Sequence, residues 1–154
     1  MSVLSGKSLW KIRPLEPMVE RQRHELTGTS FGVSMCGYDI RLDQEIVLPP
    51  GRTVLASTLE KFTMPLDVVG IVHDKSTWAR RGISVQNTVI EPGWSGYLTL
   101  ELLYSPLRVL ATDGMRLSRG TPIAQVLFHR VDEETEGYGD GKYANQERGP
   151  QEAR

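Results

Sequence analysis

Short apolar runs broken by proline and glycine set the pattern of the chain. "EIVL", "RTVLAS", "DVVGIV", "YLTLELL" and "IAQVLF" are rich in branched residues, and Pro49-Pro50-Gly51, Pro65, Pro92-Gly93, Gly96, Pro106, Gly114, Gly120 and Pro122 punctuate them. Strand-length runs bounded by turn formers predict an all-β barrel or sandwich. "YLTLELL" alternates well: Tyr97, Thr99, Glu101 and Leu103 share one face, and Leu98, Leu100 and Leu102 the other. Glu101 therefore stands with a hydroxyl and an aromatic ring, backed by a leucine layer. One or two short helices are expected. The stretch from Leu15 to Thr27 is the one region with room for a helix of any length, and a short turn capped by Ser76 or Thr77 would run to Arg81.

From Asp132 onward ("DEETEGYGDGKYANQERGPQEAR") aliphatic residues almost vanish. That segment has too little apolar surface for a core of its own, so it is expected to be disordered or to dock on something else. The expected organisation is a single β domain over residues 1–131 and a polar tail over residues 132–154, with no internal repeat.

The chain has 154 residues, 39% hydrophobic and 24% charged, with a formal charge of −1. This fits one ordinary soluble domain. The near-neutral balance lacks the basic stripe of a nucleic-acid coat. No stretch approaches the apolar length of a membrane span, and "MSVLSGKSLWKIRP" lacks an apolar signal core. Neither nucleic acid nor membrane is an expected partner, and the cytoplasm is the expected location. Cys36 is the sole cysteine, and His24, His73 and His129 are far apart. A zinc site thus has little to be built from.

"HDKSTWARRG" crowds Lys75, Arg80, Arg81 and His73 together with the hydroxyls of Ser76 and Thr77. In isolation, such a peptide is either a solvated basic turn or a cradle for an anion.

The surrounding motifs favour the cradle. "GYDIRL" (Gly37 to Leu42), "DKSTWARRG" (Asp74 to Gly82), "IEPGWSGYLTLEL" (Ile90 to Leu102), "GTPIAQVLF" (Gly120 to Phe128) and "GKYANQ" (Gly141 to Gln146) occur in one order. Together they resemble the dCTP deaminase family of the dCTP deaminase and trimeric dUTPase superfamily. The resemblance implies a distorted jelly-roll or β-clip barrel of the dUTPase kind, a homotrimer, and active sites shared between subunits. It also implies a deoxycytidine nucleotide as substrate, with Mg²⁺ arriving as the chelate of its triphosphate and not through a protein cage.

By the same resemblance, Lys75, Ser76 and Thr77 would hold phosphate, with charge-assisted donors the strong ones. Arg80 would point toward the base. Arg81 has no counterpart and reads as a surface or subunit contact. Deaminating cytosine needs water to attack C4 and the amine to leave as ammonia. Without the His-x-Glu and Pro-Cys-x-x-Cys pattern of the zinc deaminases, a carboxylate must take the water's proton and return it to the leaving nitrogen. The family's glutamate matches Glu101 in Leu100-Glu101. Ser76 and Arg80 are its implied partners: Ser76 for the water or the carboxylate, and Arg80 to keep Glu101 charged.

"IEPGW" carries Glu91 where the superfamily has an aspartate. The link from Gly82 to Glu91 is also about two residues shorter than the family pattern. Both plain and 5-substituted dCTP therefore stand as candidate substrates. Gln86, Asn87 and Thr88 would line the base pocket. Trp94 is placed either near the sugar or base or in ordinary core packing. Asp39 would pin Arg41 or nearby backbone, and Gln125 would reach phosphate or make a structural hydrogen bond. The tail lacks the Gly-rich, Arg- and Phe-bearing arm of the dUTPases. "GKYANQ" instead resembles the deaminase ending, where Lys142, Tyr143 and Gln146 would fold over the nucleotide as a lid. Two alternatives stay open. One is a bifunctional enzyme or pure dUTPase yielding dUMP and pyrophosphate, with Glu91 activating the second water. The other is a trimer that binds dNTPs without turnover.

Overall fold

The computed structural model describes residues 2–86, 88–106 and 113–154. Its elements run β1 (Ser2–Val3), α1 (Gly6–Ile12), β2 (Leu15–Glu16), β3 (Gln22–Arg23), β4 (Ser30–Val33), β5 (Tyr38–Arg41), β6 (Ile46–Leu48), β7 (Thr53–Thr63), β8 (Val68–Asp74), α2 (Ser76–Ala79), β9 (Ile83–Val85), β10 (Val89–Ile90), β11 (Ser95–Tyr104), β12 (Met115–Leu117) and β13 (Pro122–Arg130). The protein is mainly β with curled sheets, as the punctuated runs predict.

One sheet follows the order β10-β8-β13-β5-β4-β3, with β1 added to β13. A second follows β2-β7-β11-β9, and β12 pairs with β6. Alternating side chains from these sheets meet in one core. Tyr38, Ile40, Phe62, Leu100, Leu102 and Phe128 in it are fully out of water.

The longer helix falls elsewhere than the sequence predicts. Leu15–Thr27 holds β2, β3 and irregular chain, and the helix is Gly6–Ile12. Pro17 explains the first half of that result, because the residue before a proline is driven out of the helical region, and Leu15–Glu16 forms β2. At α1 the Ser5 hydroxyl accepts from the Ser8 N–H at 3.4 Å, and Leu9 is buried as the anchor. The predicted turn at Ser76 is present as α2, but its N-cap is Lys75, with no side-chain cap bond.

A buried ion pair ties the two main sheets. The backbone N–H and Nε of Arg41 donate to Glu60 at 2.9 and 2.8 Å, and Glu60 is fully buried. Burial pushes the Glu60 carboxyl up and the charge of Arg41 pulls it back. Burial, then the charge of Glu60, pushes the neighbouring Tyr38 phenol up to about 12. Arg41 therefore belongs to Glu60, and the expected pinning by Asp39 does not occur. Asp39 instead pairs with Lys75 at 2.8 Å and accepts from the Ser30 hydroxyl at 3.0 Å.

Candidate functional site

Glu101 stands half-buried on β11, directly opposite Leu55 of β7. Its carbonyl accepts from the Gln86 N–H at 2.9 Å. The alternation predicted for this strand holds except at one bulge. The β7–β11 register slips between Tyr97 and Thr99, and the Leu98 N–H donates to the buried Thr58 hydroxyl at 3.0 Å. A bulge of this kind turns side chains out of strict alternation. As a result Leu98 joins Thr99 and Glu101 on the wall of a cavity.

That cavity, about 390 Å³, gathers Thr88, Glu91, Trp94, Glu101, Tyr143 and Gln146 from the expected set. Thr99, expected on the face of Glu101, also lines it, as do Tyr138, Gln151 and Ala153, which the sequence did not single out. Its size lies at the lower end of the roughly 300–1,000 Å³ typical of small-ligand sites. Gln146 is buried, and its Oε1 has no hydrogen-bond partner. A buried, unmatched acceptor is costly, and a ligand donor would satisfy it. Trp94 is core packing that also lines the cavity: it tilts against Phe62 with ring centroids 6.3 Å apart.

The tail docks along β11. Gln146 bridges Gly96 in parallel, and the Tyr97 N–H donates to the Gln146 carbonyl at 3.0 Å. Gly96 has φ +146°, and a Cβ built there would lie 2.7 Å from the Gln146 nitrogen, so the close approach requires glycine. The Gln151 N–H donates to Thr99 Oγ1 at 3.0 Å, beside Glu101. Farther out, Nε and Nη2 of Arg148 donate to Asp43 at 2.7 and 2.6 Å, and Nη2 of Arg119 adds a bond at 3.1 Å. These donors hold the Asp43 carboxyl below its ordinary range, with Arg148 the largest cause.

A second cleft gathers Lys75, Ser76, Thr77 and Gln125, and it shares no lining residue with the Glu101 cavity. The Gln125 amide lines the cleft but commits both of its N–H donors, to Ser34 Oγ at 3.0 Å and to the Cys36 carbonyl at 3.1 Å, so its role here is a structural hydrogen bond. Within one chain, Ser76 and Glu101 are therefore not brought together. Arg80 and Gln86 are exposed and line neither opening, and Lys142 lies over the Tyr143 ring at 5.3 Å, also outside both. The Arg81 guanidinium stacks over Trp78 at 5.1 Å. Asn87 lies outside the described residues. Among the described residues, no group of three or more His, Cys, Asp or Glu side chains is arranged to hold a metal ion, and no helix is long and apolar enough to cross a membrane.

The family described as dCTP deaminase-like matches residues 13–131. A dCTP deaminase of Pseudomonas putida (strain W619) is 35% identical over 188 aligned positions, covering 95% of this chain and 96% of the relative. A dCTP deaminase of Acidobacterium capsulatum is 34% identical, with 86% and 87% covered. Among solved structures, a 2′-deoxycytidine 5′-triphosphate deaminase from Agrobacterium tumefaciens superposes with a TM-score of 0.63 at 16% identity, covering 84% of this chain and 48% of that one. The EIAV dUTPase superposes at 0.56 with 18% identity, covering 84% and 97%. At these identities the superpositions establish the dUTPase-like fold.

Proposed function

This chain belongs to the dCTP deaminase-like family, and we propose that it deaminates dCTP hydrolytically, yielding dUTP and ammonia without zinc. Glu101 carries the reading, a half-buried carboxylate on the wall of a cavity whose other lining residues are mostly polar or aromatic. In the reaction, Glu101 takes the first proton from water as the oxygen bonds to C4 and passes it to ring N3. It then takes the second proton from the new C4 hydroxyl and gives it to the amino nitrogen, which leaves as ammonia as C4–O becomes a carbonyl. Thr88, Glu91, Trp94, Tyr143 and Gln146 surround the base and sugar, and the docked tail keeps bulk water out.

The separation of Ser76 from Glu101 supports a shared site. Two clefts with no common lining residue, each holding a different part of the expected set, fit a homotrimer in which one subunit's Glu101 cavity faces its neighbour's Ser76 cleft. Ser76 and Arg80 then come to Glu101 from the adjoining copy, while Lys75 and Thr77 face the phosphates. Lys142, exposed beside the cavity in one chain, turns toward the same phosphates. Mg²⁺ enters as part of the substrate chelate. The cytoplasm, with its deoxynucleotide pool, is the place for this reaction.

Glu91 in the same cavity favours one second reading, hydrolysis of the product dUTP to dUMP and pyrophosphate. Incubation with dCTP, dCMP and dUTP, each with Mg²⁺, followed by chromatography, separates the cases. Ammonia and dUTP support the deaminase, while dUMP and pyrophosphate support the second activity. Nucleotide binding without any product defeats both in favour of a non-catalytic trimer.

A further inference from the structure

The cleft beside Ser76 has a second basic wall. Lys75 is paired with Asp39 at 2.8 Å, with side-chain exposures of only 11% and 5%, so its charge is already matched inside the protein. Asp74 at the same cleft accepts from the Val85 N–H at 2.7 Å. Across from them, Arg21 and Arg23 line the cleft from the segment that forms β3. Both are exposed, and among the described residues neither makes an ion pair.

Their placement is built in. Arg23 lies in β3 and Arg21 directly before it, and Gln22 between them lines the same cleft. Arg23 lies opposite Ser30, the Ser30 hydroxyl reaches Asp39, and Asp39 lies opposite Gln125. One polar row thus crosses the sheet into the cleft. The segment is held down from behind: the Val33 N–H donates to the Val19 carbonyl at 3.0 Å. Gly32, at φ +90°, passes so close that a Cβ there would lie 2.4 Å from the Glu20 carbonyl oxygen. Thr29, in the turn between β3 and β4, also lines the cleft and keeps a buried hydroxyl without a partner. A buried hydroxyl left unmatched is a position a ligand oxygen would complete.

We infer that Arg21 and Arg23 grip the polyphosphate end of the nucleotide and make the protein select a triphosphate over a monophosphate. This rests on the deaminase reading for the identity of the ligand. The β- and γ-phosphates carry most of the nucleotide's charge. A guanidinium meets phosphate oxygens through paired N–H bonds, which a charge already matched by Asp39 does not supply as strongly.

The test is the double variant R21Q/R23Q, with R21K/R23K and R52Q as controls. Arg52 is an exposed arginine that lines neither cleft. Titration calorimetry with inorganic tripolyphosphate at low salt reads the cleft whether or not any nucleotide turns over. Affinity should fall about tenfold or more in R21Q/R23Q, recover most of the way in R21K/R23K, and stay unchanged in R52Q. KM for dCTP should rise in parallel with little change in kcat, erasing the preference over dCMP. Unchanged tripolyphosphate affinity in R21Q/R23Q, or no tripolyphosphate binding by the unmodified protein, overturns the inference even if dCTP is deaminated. Loss of that affinity in a protein that deaminates nothing keeps the arginines as a polyphosphate grip and removes the deaminase reading.

Discussion

Trp94 donates its indole N–H to the carbonyl of Tyr143 at 2.8 Å. That bond joins the turn before β11 to the polar tail at the wall of the Glu101 cavity. The tail is therefore part of the site's architecture even though it adds almost no apolar burial. Its hold is made of hydrogen bonds to the tail's main chain, close glycine contacts at Gly93 and Gly96, and a surface ion cluster.

The contact at Gly96 can be broken without altering any tail residue. Gly96→Ala places a methyl 2.7 Å from the Gln146 nitrogen and a side chain at φ +146°, so the tail must lift or β11 must shift beneath it. Turnover should fall by about 10²-fold, the scale of a small misplacement of positioning groups. Protease should cut the tail faster than in the unmodified protein. Unchanged cleavage and kinetics would show that the approach of Gln146 to Gly96 has no role in closure.

The ion cluster makes tail docking depend on acid. Arg148, and then Arg119, keep the Asp43 carboxyl below its usual range. The folded value is depressed, so the stabilisation is complete above the unfolded aspartate range and is lost as pH falls through the lower folded value. Hydrogen exchange of the tail amides, corrected for intrinsic rates, should be flat down to pH about 4 and rise below it. Asp43→Asn should show the raised exchange at every pH. A tail equally protected at pH 3 and pH 6 would remove Asp43 as its anchor.

Several of these features were legible in the sequence, and the reasons differ. The strands were readable because alternation and Pro-Gly punctuation are local signals, and "YLTLELL" placed Glu101 on the correct strand and face. The bulge at Leu98 was not readable, since it depends on the hydroxyl of Thr58, forty residues away. The same distance problem hid the Asp39–Lys75 pair, since Lys75 follows directly on β8, which β13 separates in the sheet from the β5 of Asp39. Helix α1 escaped because Leu9 is its one fully buried apolar side chain, too few for a periodic signal. The docking of Gln151 and Ala153 left no trace in composition, because Gln151 is held through its backbone N–H to Thr99.

Metal removal separates this protein from the zinc deaminases. The single cysteine is exposed, and the donors for a resident zinc are absent from the sequence pattern. Exhaustive chelation followed by Mg²⁺ alone should restore full activity. Stoichiometric zinc that is lost together with activity would contradict the account.

The most direct measurement concerns Glu101. Glu101→Gln keeps the shape of the side chain and removes its ability to take a proton from water. Single-turnover deamination of dCTP with Mg²⁺, run beside calorimetric binding of the same nucleotide, reads the two properties separately. The predicted result is a fall in deamination by about 10²- to 10⁴-fold, with nucleotide affinity close to that of the unmodified protein. Deamination at a near-normal rate in Glu101→Gln would contradict the placement of that carboxylate at the centre of the reaction.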